Sequence, residues 1–127
     1  MENNILHYIL SINILFAMTT AMTTAIDLET MHASAEQACR LMKTLANPDR
    51  LMLLCQLSQG EMSVGALEAE LGILQPTLSQ QLGVLREEDL VETRREGKHI
   101  FYSVQSKQAL AVLKVLYDQF CNPKGRK

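Results

Sequence analysis

The chain has no tryptophan, only three tyrosines and three phenylalanines, and three cysteines, Cys39, Cys55 and Cys121, that form no Cys-x-x-Cys pair. An odd, widely spaced set of thiols is poor material for a secreted disulfide framework and for a structural zinc site. With no disulfide scaffold to imply export, the expected compartment is the reducing cytoplasm. An excess of positive charge is also missing. The formal net charge is -2, so the bulk protein has no general attraction for nucleic acid. DNA binding by such a chain must rest on the local field of one surface, with sharp salt sensitivity and little non-specific affinity.

The first 39 positions hold no lysine or arginine, and Glu2 is acidic, so the basic n-region of a signal peptide is absent. The apolar run 5–18 is shorter than the roughly 20 residues that a membrane span requires. No membrane partner is expected; a membrane-tethered regulator would depend wholly on this run. Residues 1–30 read as an N-terminal extension, either an over-extended start, with Met18, Met22 or Met31 as the native first residue, or a flexible or helical arm. What is left is ordinary globular material. Of 127 residues, 47% are hydrophobic and 20% charged, enough for one domain with a core and too few for two. That domain is placed at 31–122, followed by a basic tail at 123–127.

Hydrophobic period and punctuation divide the domain. Ala35, Ala38, Cys39, Met42, Leu45 and Ala46 recur at helical spacing over 33–46. Asn47 then caps a second helix that starts at Pro48 and runs to about Gln59, with Leu51, Leu54, Cys55 and Leu57 as its apolar stripe and Gly60 as a left-handed stop. Ser63 caps a short third helix that buries Leu67 and Leu71 and ends at Gly72. Pro76 starts a fourth that reaches about Glu88. Residues 91–95 and 99–104 are strand-like around a tight Glu96-Gly97-Lys98 turn. A last helix spans Ser106 to Cys121, with Leu110, Leu113, Leu116, Tyr117, Phe120 and Cys121 on one side. The order α-α-α-α-β-β-α predicts a mainly α protein with a small β-hairpin (α+β), a winged helix-turn-helix.

The fourth helix carries the sharpest functional pattern. Leu78, Leu82 and Leu85 share one face, which is the one to bury. The opposite face presents Thr77, Ser79, Gln80 and the small Gly83, and the candidate DNA-reading set also includes Gln75 and Gln81. Glutamine can pair bidentately with adenine, and hydroxyls take base edges or phosphates. Amides at the Gln75-Pro76 end point toward a phosphate. Alone, this face is equally that of an ordinary solvated helix. The hairpin after it adds Arg94, Arg95 and Lys98 at a protruding tip, a wing able to track phosphates or enter the minor groove. Glu92 and Glu96 partly cancel that charge.

Four segments carry a resemblance: LANPDRLMLL (45–54), SVGALEAELGI (63–73), QPTLSQQLGVLRE (75–87) and LVETRREGKHIFY (90–102). Together they resemble the winged-helix domain of the ArsR/SmtB repressor family. The resemblance implies a homodimeric repressor of double-stranded operator DNA and no enzymatic activity. The flanking helices would form the dimer interface, for which Ala35, Met42 and Leu116–Phe120 are suitable apolar material.

Many members of that family sense metals, yet the ligands are missing. Ser63-Val64-Gly65 stands where one family site has Cys-x-Cys, and the last helix offers no histidine and only Asp118. No metal and no cofactor are therefore expected. A metal-responsive repressor using His32 or His99 is the alternative. A thiol-dependent redox enzyme is a remote one, since no Cys–His arrangement is evident. By periodicity alone, Cys55 and Cys121 are small hydrophobes on apolar faces. The stretch 51–55 and the terminal 119–121, however, are similar to the BigR-type subgroup, which responds to reactive sulfur or oxidants. That similarity implies that Cys55 and Cys121 lie close in the fold and act as the sensing pair. Cys39 matches neither position and is read as a core or interface residue.

Overall fold

The computed structural model describes residues 9, 10, 12 and 26–122; the apolar run 5–18 is largely, and the basic tail 123–127 wholly, outside the described residues. The chain divides into two compact units, Met1–Ala38 and Cys39–Lys127. In the first, Ile9, Leu10 and Ile12 are helical and exposed, and the described residues from 26 to 38 are exposed throughout. Helix α1 (Leu28–Leu45) begins earlier than the expected 33. The reason is local: the Thr30 amide donates to Asp27 Oδ1 at 2.7 Å, which satisfies a free N–H of the first turn. The same bond holds the Asp27 carboxyl below its ordinary range.

In the second unit, helix α2 (Pro48–Leu57) starts as its sequence predicts. Asn47 is extended at φ -143° and accepts the Arg50 amide at 3.0 Å, with proline in the first turn. Its end differs from expectation. The helix closes at Leu57 with Ser58 still right-handed, and Gly60, at φ 154°, lies away from the helical left-handed well. Helix α3 (Val64–Leu71) is capped by Ser63, whose Oγ accepts the Ala66 amide at 3.2 Å, and stops at Gly72, which is left-handed at φ 68°. Helix α4 runs Gln75–Glu87.

The wing is a sheet of three strands. The hairpin of β2 (Val91–Glu96) and β3 (His99–Val104) pairs Val91 with Val104 through Glu96 with His99. Its two-residue turn has Gly97 at φ 62° as the first central residue, the type II′ pattern that matches strand twist. The sequence reading missed the third strand, β1 (Met62–Ser63), because two residues carry no period. It pairs antiparallel with β3, Met62 opposite Tyr102 and Ser63 opposite Phe101, giving the order β1-β3-β2.

Helix α5 (Lys107–Leu116) is capped by Ser106, which accepts the Ala109 amide at 3.1 Å. The expected uninterrupted helix to Cys121 is corrected here: Tyr117–Cys121 form a π-helical turn, closed by the Asn122 amide on the Tyr117 carbonyl at 3.0 Å. The wider i→i+5 turn sets Phe120 and Cys121 back around the axis relative to an α-helix. The core gathers Leu53, Leu54 and Leu57 of α2, Leu67 of α3, Leu78, Leu82 and Leu85 of α4, Leu90, Val91, Ala109 and Leu113. Among the described residues, no helix is long and apolar enough to cross a membrane.

Candidate nucleic-acid interface

Helix α4 is seated by its leucines. Leu78, Leu82 and Leu85 are 0%, 1% and 0% exposed, at the spacing that stacks side chains on one helix face. Gln75, Thr77, Ser79 and Gln80 are consequently exposed. Two of them are already ordered. Gln75 Nε2 donates to Glu68 of α3 at 3.1 Å, and the Ser79 hydroxyl donates to Gln75 Oε1 at 3.3 Å. Gly83 is half-buried, and a Cβ built on it would meet no atom within 4 Å.

Gln81 stands apart from the rest of the set. It is half-buried, and its Oε1 accepts from Arg50 Nη1 at 2.9 Å. The sequence reading missed Arg50, although its place in the first turn of α2, three residues after the Asn47 cap, points it back toward the end of α1.

On the wing, Arg95 and Lys98 are exposed. Arg94 is exposed too, but its guanidinium is engaged. It pairs with Glu61 and with Glu96 and lies 4.6 Å from the centre of the Phe101 ring. The Glu61 hydrogen bonds, then those of Glu96, raise its already high pKa further. A paired cation contributes less to an external field than a free one, so the free positive charge of the tip belongs to Arg95 and Lys98.

The three cysteines are free thiols. Cys39 is exposed, which corrects the core half of its reading as a core or interface residue. Cys55 is half-buried on α2 against the hydrophobic core, and Cys121 is exposed in the π-helical turn. Burial raises the Cys55 pKa first, and the negative charge of Cys121 raises it further. Two groups remote in sequence thus lie within electrostatic reach of each other. Among the described residues no group of three His, Cys, Asp or Glu could hold a metal ion.

Several apolar side chains of the last helix and of the turn after it are exposed. Val115, Tyr117 and Phe120 are 59%, 56% and 64% exposed, with Leu110 on the same helix and Met42 on α1 also open.

Residues 47–93 match the profile of the family described as bacterial regulatory protein, arsR family. The chain is 56% identical over 98 residues to the biofilm growth-associated repressor of Agrobacterium fabrum, covering 77% of this chain and 84% of that one. Among solved structures, the transcriptional repressor BigR from Xylella fastidiosa superposes with a TM-score of 0.70 at 52% identity, over 76% of this chain and 99% of that one. Reduced HlyU from Vibrio cholerae superposes at 0.72 and 38% identity, over 75% and 100%.

Proposed function

The chain belongs to the arsR family of bacterial regulatory proteins, and from that premise we propose that it is a transcriptional repressor whose hold on operator DNA is released by sulfur chemistry at Cys55 and Cys121. As a homodimer it places two copies of α4 in successive major grooves, at half-sites about 34–36 Å apart. Thr77, Ser79 and Gln80, with the Gln75–Glu68 pair at the helix entry, face the bases. Arg95 and Lys98 meet backbone phosphates, and Arg94 supports the wing they stand on. The exposed apolar side chains of Leu110, Tyr117 and Phe120 support dimerisation, because apolar surface of this kind gains by excluding water against a copy of itself. The repressor names of its relatives support the direction of regulation.

The observation that carries the switch is the influence of Cys121 on Cys55. Exposed Cys121 reacts first. Its thiolate attacks the outer sulfur of a persulfide, forming Cys121–S–SH and expelling the donor's thiolate. Cys55, protonated at rest, gives up its proton to solvent, and its thiolate attacks the sulfur bonded to Cys121 Cβ and expels hydrosulfide. Two protein thiols are oxidised to a disulfide, and one sulfane sulfur is reduced to sulfide. With a second equivalent of persulfide, Cys55 also becomes Cys55–S–SH and expels a second donor thiolate; its outer sulfur then attacks the sulfur bonded to Cys121 Cβ, expels hydrosulfide and leaves a three-sulfur link. Such a bridge joins α2 to the end of the α5 segment. In a dimer that must present two helices at a fixed separation, a small rotation of either subunit removes several contacts together.

The test is operator release by inorganic polysulfide in the wild-type, Cys55→Ser and Cys121→Ser proteins. Release from the wild type alone, with a Cys55–Cys121 link found by mass spectrometry, is expected. Undiminished release from both variants would sink the switch.

A further inference from the structure

Arg50 places its charged end inside the second unit. Its Nε donates to the Thr44 carbonyl at 2.7 Å and its Nη2 to the Lys43 carbonyl at 3.3 Å. These carbonyls belong to the last turn of α1, where a helix runs out of amide partners and a cation is favoured. The third contact, Nη1 to Gln81 Oε1 at 2.9 Å, reaches α4. One side chain from the first turn of α2 is therefore fastened to the end of α1 and to the flank of α4. We propose that Arg50 and Gln81 form a positioning pair that fixes the rotation of α4 about its own axis, and that Gln81 affects operator recognition through Arg50 and not by reading a base.

Two physical arguments carry this. The first concerns what the leucines can do. Hydrophobic contact is non-directional, so Leu78, Leu82 and Leu85 decide which face of α4 is buried but set its azimuth loosely. A charge-assisted hydrogen bond is directional and weakens steeply with angle. On a helix whose side-chain envelope has a radius of about 6 Å, a turn of about 20° moves a side-chain tip by roughly 2 Å. That is enough to break a hydrogen bond to a base edge. The second concerns the amide itself. Bidentate pairing with adenine uses both the oxygen and the nitrogen of a glutamine. Gln81 is half-buried with its oxygen turned inward to Arg50, whereas its neighbour Gln80 is exposed. Of the two adjacent glutamines, Gln80 has the free amide.

The inference rests on α4 being the operator-reading helix, and the experiment separates the two. The full-length protein first selects a duplex from a random pool. Binding is then measured to that duplex, to versions changed at one base pair each, and to an unrelated duplex. The proteins are the wild type, Gln81→Leu, Gln81→Glu, Arg50→Lys and the Arg50→Lys/Gln81→Leu double variant, each with its thermal midpoint. Gln81→Leu leaves Arg50 both carbonyl acceptors, so it keeps the fold and the test even if Arg50→Lys unfolds. The expected result for Gln81→Leu is about a tenfold loss on the selected duplex, no loss on the unrelated one, and weakened discrimination across the whole half-site. Gln81→Glu, which offers Arg50 a carboxylate, recovers to within about threefold of the wild type. A folded double variant is no worse than its weaker parent, as two ends of one contact require.

Loss of discrimination at a single base pair in Gln81→Leu would overturn the pairing and make Gln81 a base reader. Failure of Gln81→Glu to recover would overturn it too, as would wild-type behaviour of Gln81→Leu. If the wild type selects no duplex, the operator reading itself falls and takes the pairing with it.

Discussion

Arg94 grips Glu61 with two nitrogens on one edge of its guanidinium: Nη2 is 2.7 Å from Oε1, and Nε is 2.9 Å from each carboxylate oxygen. Glu61 precedes β1 and Arg94 lies in β2, so the pair clasps the two outer strands of the sheet across β3. The third nitrogen, Nη1, meets Glu96 at 2.8 Å, which gives one cation two carboxylate neighbours. All three side chains are solvent-accessible, so the direct gain in stability is small. The larger effect is on which charges are left for DNA.

The salt dependence of binding should therefore distinguish three neighbouring basic residues. Each phosphate contact contributes close to one counterion to the slope of log K against log salt. Arg95→Ala and Lys98→Ala are expected to reduce the slope by about 1 each, and Arg94→Ala by much less than 1. Titrations of one duplex at several salt concentrations provide the check. A full unit lost on removing Arg94 would place it on a phosphate.

A second prediction concerns thiol reactivity. Both burial and the charge of Cys121 raise the Cys55 pKa, so at neutral pH this residue is protonated and slow to alkylate. In a Cys39→Ser background the midpoint of its alkylation rate should lie at higher pH than that of an ordinary thiol. Replacing Cys121 with serine removes the smaller cause and leaves burial. The midpoint should then move down in pH but stay elevated. A midpoint that does not move on Cys121→Ser would mean that the two thiols do not sense each other.

A third concerns the exposed apolar side chains. Phe120→Glu puts a charge among side chains proposed to meet their own copies, and like charges then face each other across the two-fold axis. Sedimentation should show the dimer constant weakened by at least about tenfold, with operator affinity falling alongside it because each half-site is then bound singly. The far-ultraviolet circular dichroism should be unchanged, since Phe120 is 64% exposed in the single chain. A fully dimeric variant would exclude these side chains from the interface.

What could be read from the sequence is what neighbours in the chain decide. Asn47, Ser63 and Gly72 cap or stop helices where expected, because each meets amides or carbonyls only a few residues away. The leucines of α4 were legible for the same reason, their period being a local property. Asp27 was also there to be read as a cap, with Thr30 at the right spacing. The features that escaped belong to the folded chain. Strand β1 exists because β3 passes alongside it, and the clasp of Arg94 on Glu61 joins segments far apart in sequence. Gln81 looked like its neighbour Gln80 until Arg50 was seen to face it. The π-helical turn has no local signature that we can identify, and it sets the position of Cys121.

The smallest element of the fold has a consequence for how such a protein reads DNA. Because Met62 and Ser63 are hydrogen-bonded to the hairpin, the residue that caps α3 is also a rung of the wing. Helix α3, which leads into the proposed reading helix α4, and the wing proposed to grip the backbone are thus fastened together at Ser63 as one bracket. A bracket cannot lose its footing in one groove while keeping the other. Operator occupancy is consequently expected to fall steeply with tilt, which is the sensitivity that the proposed covalent link between Cys55 and Cys121 would exploit.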